Sequence, residues 1–144
     1  MTRRHLLRIS DAATLAIHAL ALLADADKPV QVARIAEPMR ASAAHLGKVL
    51  QRLGKLGLVT SIRGPKGGFT LARPADETNL LDVLVAVDGP ITEEGCLLGQ
   101  PVCHKPDSCP VRGLNDQVRE LVVDRLAALT LADIDLSDLI QEPT

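Results

Sequence analysis

Aromatic side chains are nearly missing from these 144 residues: there is one phenylalanine, Phe69, and no tyrosine or tryptophan. Single-stranded nucleic acids and RNA loops are usually gripped by stacking bases on aromatic rings. With one ring available, that mode is excluded as a main activity, and a duplex groove is the better target for any nucleic-acid contact. The core must be aliphatic, built from Leu, Val, Ile and Ala within a hydrophobic share of 47%. Long hydrophobic runs are missing too. The stretch Leu15–Ala24 is interrupted by His18 and is far too short to span a bilayer. The start Met1–Ser10 is basic, but the apolar run after it lacks a cleavage site, so the expectation is a cytoplasmic protein without membrane contact. Cysteine is scarce and odd in number, three residues within a 14-residue stretch. That points to metal or redox chemistry more than to a disulfide framework.

Charge of either sign is plentiful but unevenly placed. Residues 1–73 hold 12 Lys and Arg against 4 Asp and Glu, whereas residues 74–144 hold 4 against 14. A net charge of −2 thus hides a basic half and an acidic half. Such asymmetry suits a module facing a polyanion beside one that stays off it; a merely solvated surface is the plainer alternative.

The periodicity reads as follows. Ser10 or Asp11 caps a helix to about Ala24 that is apolar nearly all round. A turn at 25–29 leads to a short helix from about Gln31 to Glu37, and Pro38 through Ala41 breaks it. Ser42 caps a third helix, roughly Ala43 to Leu56. Its Leu46, Val49, Leu50, Leu53 and Leu56 share one face, and His45, Lys48, Arg52 and Lys55 the other. Gly57 closes it. Strands at Leu58–Arg63 and Phe69–Ala72 flank the loop Gly64-Pro65-Lys66-Gly67-Gly68, a hairpin signal. A helix from Asn79 to Asp88 ends at Gly89-Pro90, and a loop rich in Gly, Pro and Cys follows. A longer helix then runs from Pro110, suited to a first helical position, to about Leu129, and the tail beyond Asp135 frays.

The fold expected is mainly α with a small β-hairpin. A winged helix-turn-helix DNA-binding domain occupies residues 1–74 and a connecting helix 75–90. The cysteine loop spans 91–110, and a long C-terminal dimerisation helix with its tail spans 110–144. A major groove admits one helix. Ser42, Ala43, Ala44 and His45 begin the helix that would enter it, and the small side chains permit close approach. Lys48, Arg52 and Lys55 meet phosphates, and Arg63 and Lys66 carry the wing tip to the minor groove. The last helix has apolar surface to spare, which suits a homodimer reading a palindromic operator. The Gly64–Gly68 loop lacks a Walker pattern and leads into a strand, and no catalytic dyad or acidic pair is present, so an enzyme is not expected.

Cys96, Cys103 and Cys109 form C-x6-C-x5-C, neither the paired C-x2-C of zinc knuckles nor a ferredoxin run. Three thiolates in one Gly/Pro loop suit three corners of an iron–sulfur cluster. Zinc with His104 as a fourth ligand, or three redox-active thiols, are the other readings.

Several segments together resemble one family. Leu7-Arg8-Ile9-Ser10 with Leu15–Leu20, and the run from Leu53 to Leu71 (LGKLGLVTSIRGPKGGFTL), are similar to the IscR/NsrR-type winged-helix regulators, the Rrf2 family. So are Leu81-Asp82-Val83, Ala86-Val87-Asp88-Gly89 and the segment from Leu129 to Ile134. The resemblance covers nearly the whole chain. It implies a dimeric transcriptional regulator, a repressor by expectation, that responds to nitric oxide, redox state or iron and cluster supply through a 4Fe-4S or 2Fe-2S cluster. It also implies that Cys96, Cys103 and Cys109 are the cluster ligands and Arg63 the wing arginine. Some positions depart from the family pattern. The first cysteine gap is one residue longer than in many members. Arg112 stands where cluster-assembly regulators have a histidine, and Thr14 where nitric-oxide sensors have a carboxylate. His18 matches a histidine used by a redox-sensing member, and Gly47 replaces a longer polar residue of the reading helix. The fourth ligand stays open among Asp11, His18, His104 and an external molecule.

Overall fold

The structure, a computed structural model, describes residues 7–92, 96–98 and 106–136. Five helices and a hairpin follow in order: α1 (Asp11–Ala24), α2 (Val32–Ala36), α3 (Ala43–Lys55), β1 (Val59–Ile62), β2 (Gly68–Leu71), α4 (Leu80–Asp88) and α5 (Arg112–Ala128). Short 3-10 turns lie at Ala75–Glu77, Pro106–Ser108 and Leu131–Asp133. The fold is a winged helix-turn-helix, mainly α with one small antiparallel hairpin, as expected.

Three helix starts are set by side-chain caps that satisfy N–H groups otherwise left unpaired. The Ser10 hydroxyl accepts from the Ala13 amide at 3.0 Å, the Ser42 hydroxyl from the His45 amide at 3.3 Å, and Asn79 Oδ1 from the Asp82 amide at 2.8 Å. Behind these starts, Leu20, Ile35, Leu46, Leu50, Leu53, Val83, Leu84 and Leu131 are fully buried in one aliphatic core. The segment after α5 turns back into that core. Leu80 N–H donates to the Leu129 carbonyl at 2.9 Å and Leu131 N–H to the Thr78 carbonyl at 3.0 Å. A capping box between Thr130 and Asp133 closes the turn. Leu136 is also buried, so the chain is held one residue further than the fraying expected after Asp135. Residues 137–144 lie outside the described residues.

α2 lies within the expected bounds, between the cap residues Gln31 and Glu37, and two local expectations elsewhere are corrected. α2 ends at Ala36, and the chain then closes in a Schellman arrangement: Ala41 N–H donates to the Ala36 carbonyl at 3.1 Å and Arg40 N–H to the Glu37 carbonyl at 3.0 Å. Arg40 takes the left-handed conformation this requires, with φ of 50°. Pro38 sits inside this closing turn, within the expected break. Leu56 is the C-cap of α3 and 40% exposed, so it does not continue the buried face of Leu46, Val49, Leu50 and Leu53. Finally, α5 starts at Arg112 and not at Pro110, because Pro110 and Val111 form a turn in which Arg112 N–H donates to the Cys109 carbonyl at 3.2 Å.

Candidate nucleic-acid interface and cysteine segment

On α3, Ser42, Ala43, Ala44, His45, Lys48, Arg52 and Lys55 are all exposed while the leucine face is buried. The Ser42 hydroxyl accepts the cap bond, which leaves its proton available to donate outward. Gly47 is half-buried and turns toward α2; a Cβ there would meet Val32 Cγ1 at 3.9 Å. It serves helix packing and lies away from the basic face.

The hairpin is paired from Val59 with Leu71 to Ile62 with Gly68. Arg63 and Lys66 are exposed in its loop. Glycine is required at two loop positions. A Cβ on Gly67 would collide with the Ile62 carbonyl oxygen, and one on Gly68 with the Val30 backbone. That second approach exists because Val30 and Phe69 exchange backbone bonds of 3.0 and 2.9 Å, which pin the wing to the turn between α1 and α2. The same contact brings Lys28 and Arg34 to the rim of an open groove shared with Asp27, Gln31 and Lys66. Lys28 and Arg34 were not picked out from sequence. Lys28 sits in a turn and the groove exists only through the Val30–Phe69 pairing, so no periodic signal marks them.

The cysteine segment is fastened to the start of α5 from both ends. Cys96 and Cys109 are half-buried. Next to Cys96, the Leu97 N–H donates to Asn115 Oδ1 at 3.0 Å. At the other end, Arg112 N–H donates to the Cys109 carbonyl, and the Arg112 guanidinium pairs with Asp107 at 2.8 Å. Cys103 and His104 lie outside the described residues.

The other candidate ligands stand on α1. Asp11 is exposed, and His18 is half-buried with Nδ1 donating to the Thr14 carbonyl at 2.7 Å. A carbonyl only accepts, so Nδ1 carries the proton of this contact. Among the described residues, no three His, Cys, Asp or Glu side chains gather as a metal site. Asp11 and His18 are therefore not brought together with Cys96 and Cys109 in that part of the chain. The start of α1 is tied elsewhere: the Asp88 carboxylate accepts the Ser10 N–H at 2.8 Å and also the Ser10 hydroxyl, joining α1 to the last residue of α4. Along α5 no residue is buried; Leu114 and Leu121 are exposed, and Val118 and Val122 are half-buried.

A family model described as an iron-dependent transcriptional regulator, Rrf2, matches residues 9–135. The chain belongs to the Rrf2 family. Among relatives, it is 35% identical over 106 residues to the HTH-type transcriptional regulator IscR of Erwinia tasmaniensis. That alignment takes in 74% of this Rrf2 chain and 64% of the IscR protein, so the chain spans just under two thirds of that relative. Two solved structures share the architecture. CymR, the global cysteine regulator of B. subtilis, superposes with a TM-score of 0.74 at 29% identity, over 88% of this chain and 95% of that one. IscR of T. potens gives 0.70 at 26% identity, over 92% and 88%. This Rrf2 protein is a DNA-binding transcriptional regulator, and the relatives it matches are regulators and not enzymes. No helix among the described residues is long and apolar enough to cross a membrane.

Proposed function

We propose that this Rrf2 protein is a homodimeric repressor that reads a palindromic operator and takes its signal through an iron–sulfur cluster on Cys96, Cys103 and Cys109. The observation that carries the reading is that the segments bearing Cys96 and Cys109 are both bonded to the first turn of α5. Two soft thiol ligands held at one helix end fit a cluster of either 4Fe-4S or 2Fe-2S type. When bound, the cluster supplies a group sensitive to nitric oxide, redox state and iron supply. The fourth ligand comes from Asp11, His18 or His104, or from outside the chain. Asp11 is exposed and His18 half-buried on α1, and either is a candidate to reach a partner copy.

The reading unit is the winged helix, with α4 and the cysteine segment linking it to α5. Ser42, Ala43, Ala44 and His45 enter the major groove, Lys48, Arg52 and Lys55 hold phosphates, and Arg63 reaches the minor groove. Lys66 holds the neighbouring backbone together with Lys28 and Arg34 across their groove. The unburied apolar residues of α5 pair two copies, setting two reading helices about one helical turn of DNA apart.

Two measurements test this. Without Trp or Tyr the near-ultraviolet spectrum is almost blank, so a cluster dominates the absorbance of anaerobically purified protein; a colourless, zinc-containing protein overturns the cluster. Arg52→Ala weakens DNA binding for all sequences and lowers the salt slope by about one, while Arg63→Ala also relaxes sequence discrimination. Unchanged binding in both variants overturns the reading face.

A further inference from the structure

The segment that follows Cys96 has little apolar anchorage, since Leu97 is 47% and Leu98 69% exposed. Its placement depends on polar contacts, and a long-range one reaches it from α5: Asn115 Oδ1 accepts the Leu97 N–H at 3.0 Å across 18 residues of sequence. Asparagine is a poor choice inside a helix, because its amide competes for backbone partners. Here the half-buried amide is directed at another segment of the chain. Asn115 lies three residues after Arg112, so both occupy one side of the first turn of α5. The Arg112–Asp107 pair at the Cys109 end is largely exposed and contributes little. The Cys109 end is held besides by the Arg112 N–H bond to the Cys109 carbonyl, whereas the Cys96 end reaches α5 through Asn115.

We propose that Asn115 is the positioning residue of the cysteine site. By accepting the Leu97 amide it holds the backbone next to the Cys96 thiol against the first turn of α5. It acts through Leu97 and touches no metal itself. Supporting hydrogen bonds of this kind orient ligands, and their removal typically lowers metal affinity by about 10- to 100-fold. The inference rests on the cysteines being cluster ligands, and its test separates the two ideas.

The experiment compares full-length wild type, Asn115→Leu, Asn115→Ala and Asn115→Asp. Leu removes the acceptor at similar size, Ala removes it with the best helix former, and Asp keeps an acceptor oxygen. One readout is the rate at which iodoacetamide alkylates Cys96 and Cys109 in metal-free protein, followed by peptide mass spectrometry. The other is the rate at which a chelator bleaches the visible absorbance of anaerobically reconstituted protein. In Asn115→Leu and Asn115→Ala, Cys96 alkylation should change several-fold with Cys109 nearly unchanged, and bleaching should accelerate about tenfold. Asn115→Asp should return both toward wild type, and the far-ultraviolet melting curve should be the same in all four. Identical Cys96 alkylation in all four proteins overturns the proposal, as does an equal change at both cysteines. If wild type never becomes coloured, the cluster reading fails, and the selective Cys96 response still decides the role of Asn115.

Discussion

The helices of the reading head and the helix that follows the cysteine segment are built differently. α1 and α3 of the winged helix, like the connecting α4, begin on a side-chain cap, and each buries several residues in the shared core; the short α2 has no such cap but buries Ile35 and Ala36. α5 starts after Val111 without a side-chain cap bond, carries glycine in its first turn and has no fully buried residue, although it is the longest helix described; Leu126 alone of its leucines packs against the core. Helices in proteins draw most of their stability from packing an apolar face. The contrast teaches that the winged helix and α4 share one core within the chain, whereas the apolar side chains of α5 stay exposed or half-buried there. A second copy covers them under the dimer proposed above.

The contrast is sharpened most by cutting into each side in turn. Leu50→Ala removes a fully buried side chain of α3 and should destabilise folding by about 2–5 kcal/mol in urea or guanidinium unfolding. Leu121→Glu, at a position 60% exposed on α5, should leave unfolding of the dilute monomer within about 0.5 kcal/mol. It should nevertheless raise the dimer dissociation constant at least tenfold, about 1.4 kcal/mol, in sedimentation equilibrium. A dimer unmoved by this change would break the comparison. Ser42→Ala deletes the α3 cap and should cost about 1 kcal/mol, read as a lowered melting temperature. The smallest effect goes the other way. Gly113→Ala meets open space in the first turn of α5 and should stabilise by up to about 1 kcal/mol, a gain seen in the helical signal of α5 and not in the core.

Much of this was legible in the sequence because it was local. Ser10, Ser42 and Asn79 announced three helix starts through the residues just after them, and the spacing of Leu46, Val49, Leu50 and Leu53 marked the buried side of α3. The winged order and the exposure of Lys48, Arg52, Lys55, Arg63 and Lys66 followed from the same reading. Features made by distant parts of the chain were not legible. The Ser10–Asp88 contact spans 78 residues, and the Leu97–Asn115 bond depends on how a loop returns to α5. One local signal misled: Pro110 suited a helix start but was taken up by the preceding turn. The end of α2 was legible from Pro38, but its left-handed closure at Arg40 was not, because that conformation is usually reserved for glycine.

The backbone exchange between Val30 and Phe69 has a consequence for control. It fastens the wing to the corner where α1 meets α2, and α2 packs directly on α3. The wing strand and the reading helix are thus tied to one corner of the fold, like two prongs of a single casting. Under the function proposed above, a signal arriving at the cysteines would act on how two such castings are held apart, and so on the gap between half-sites more than on the letters within them.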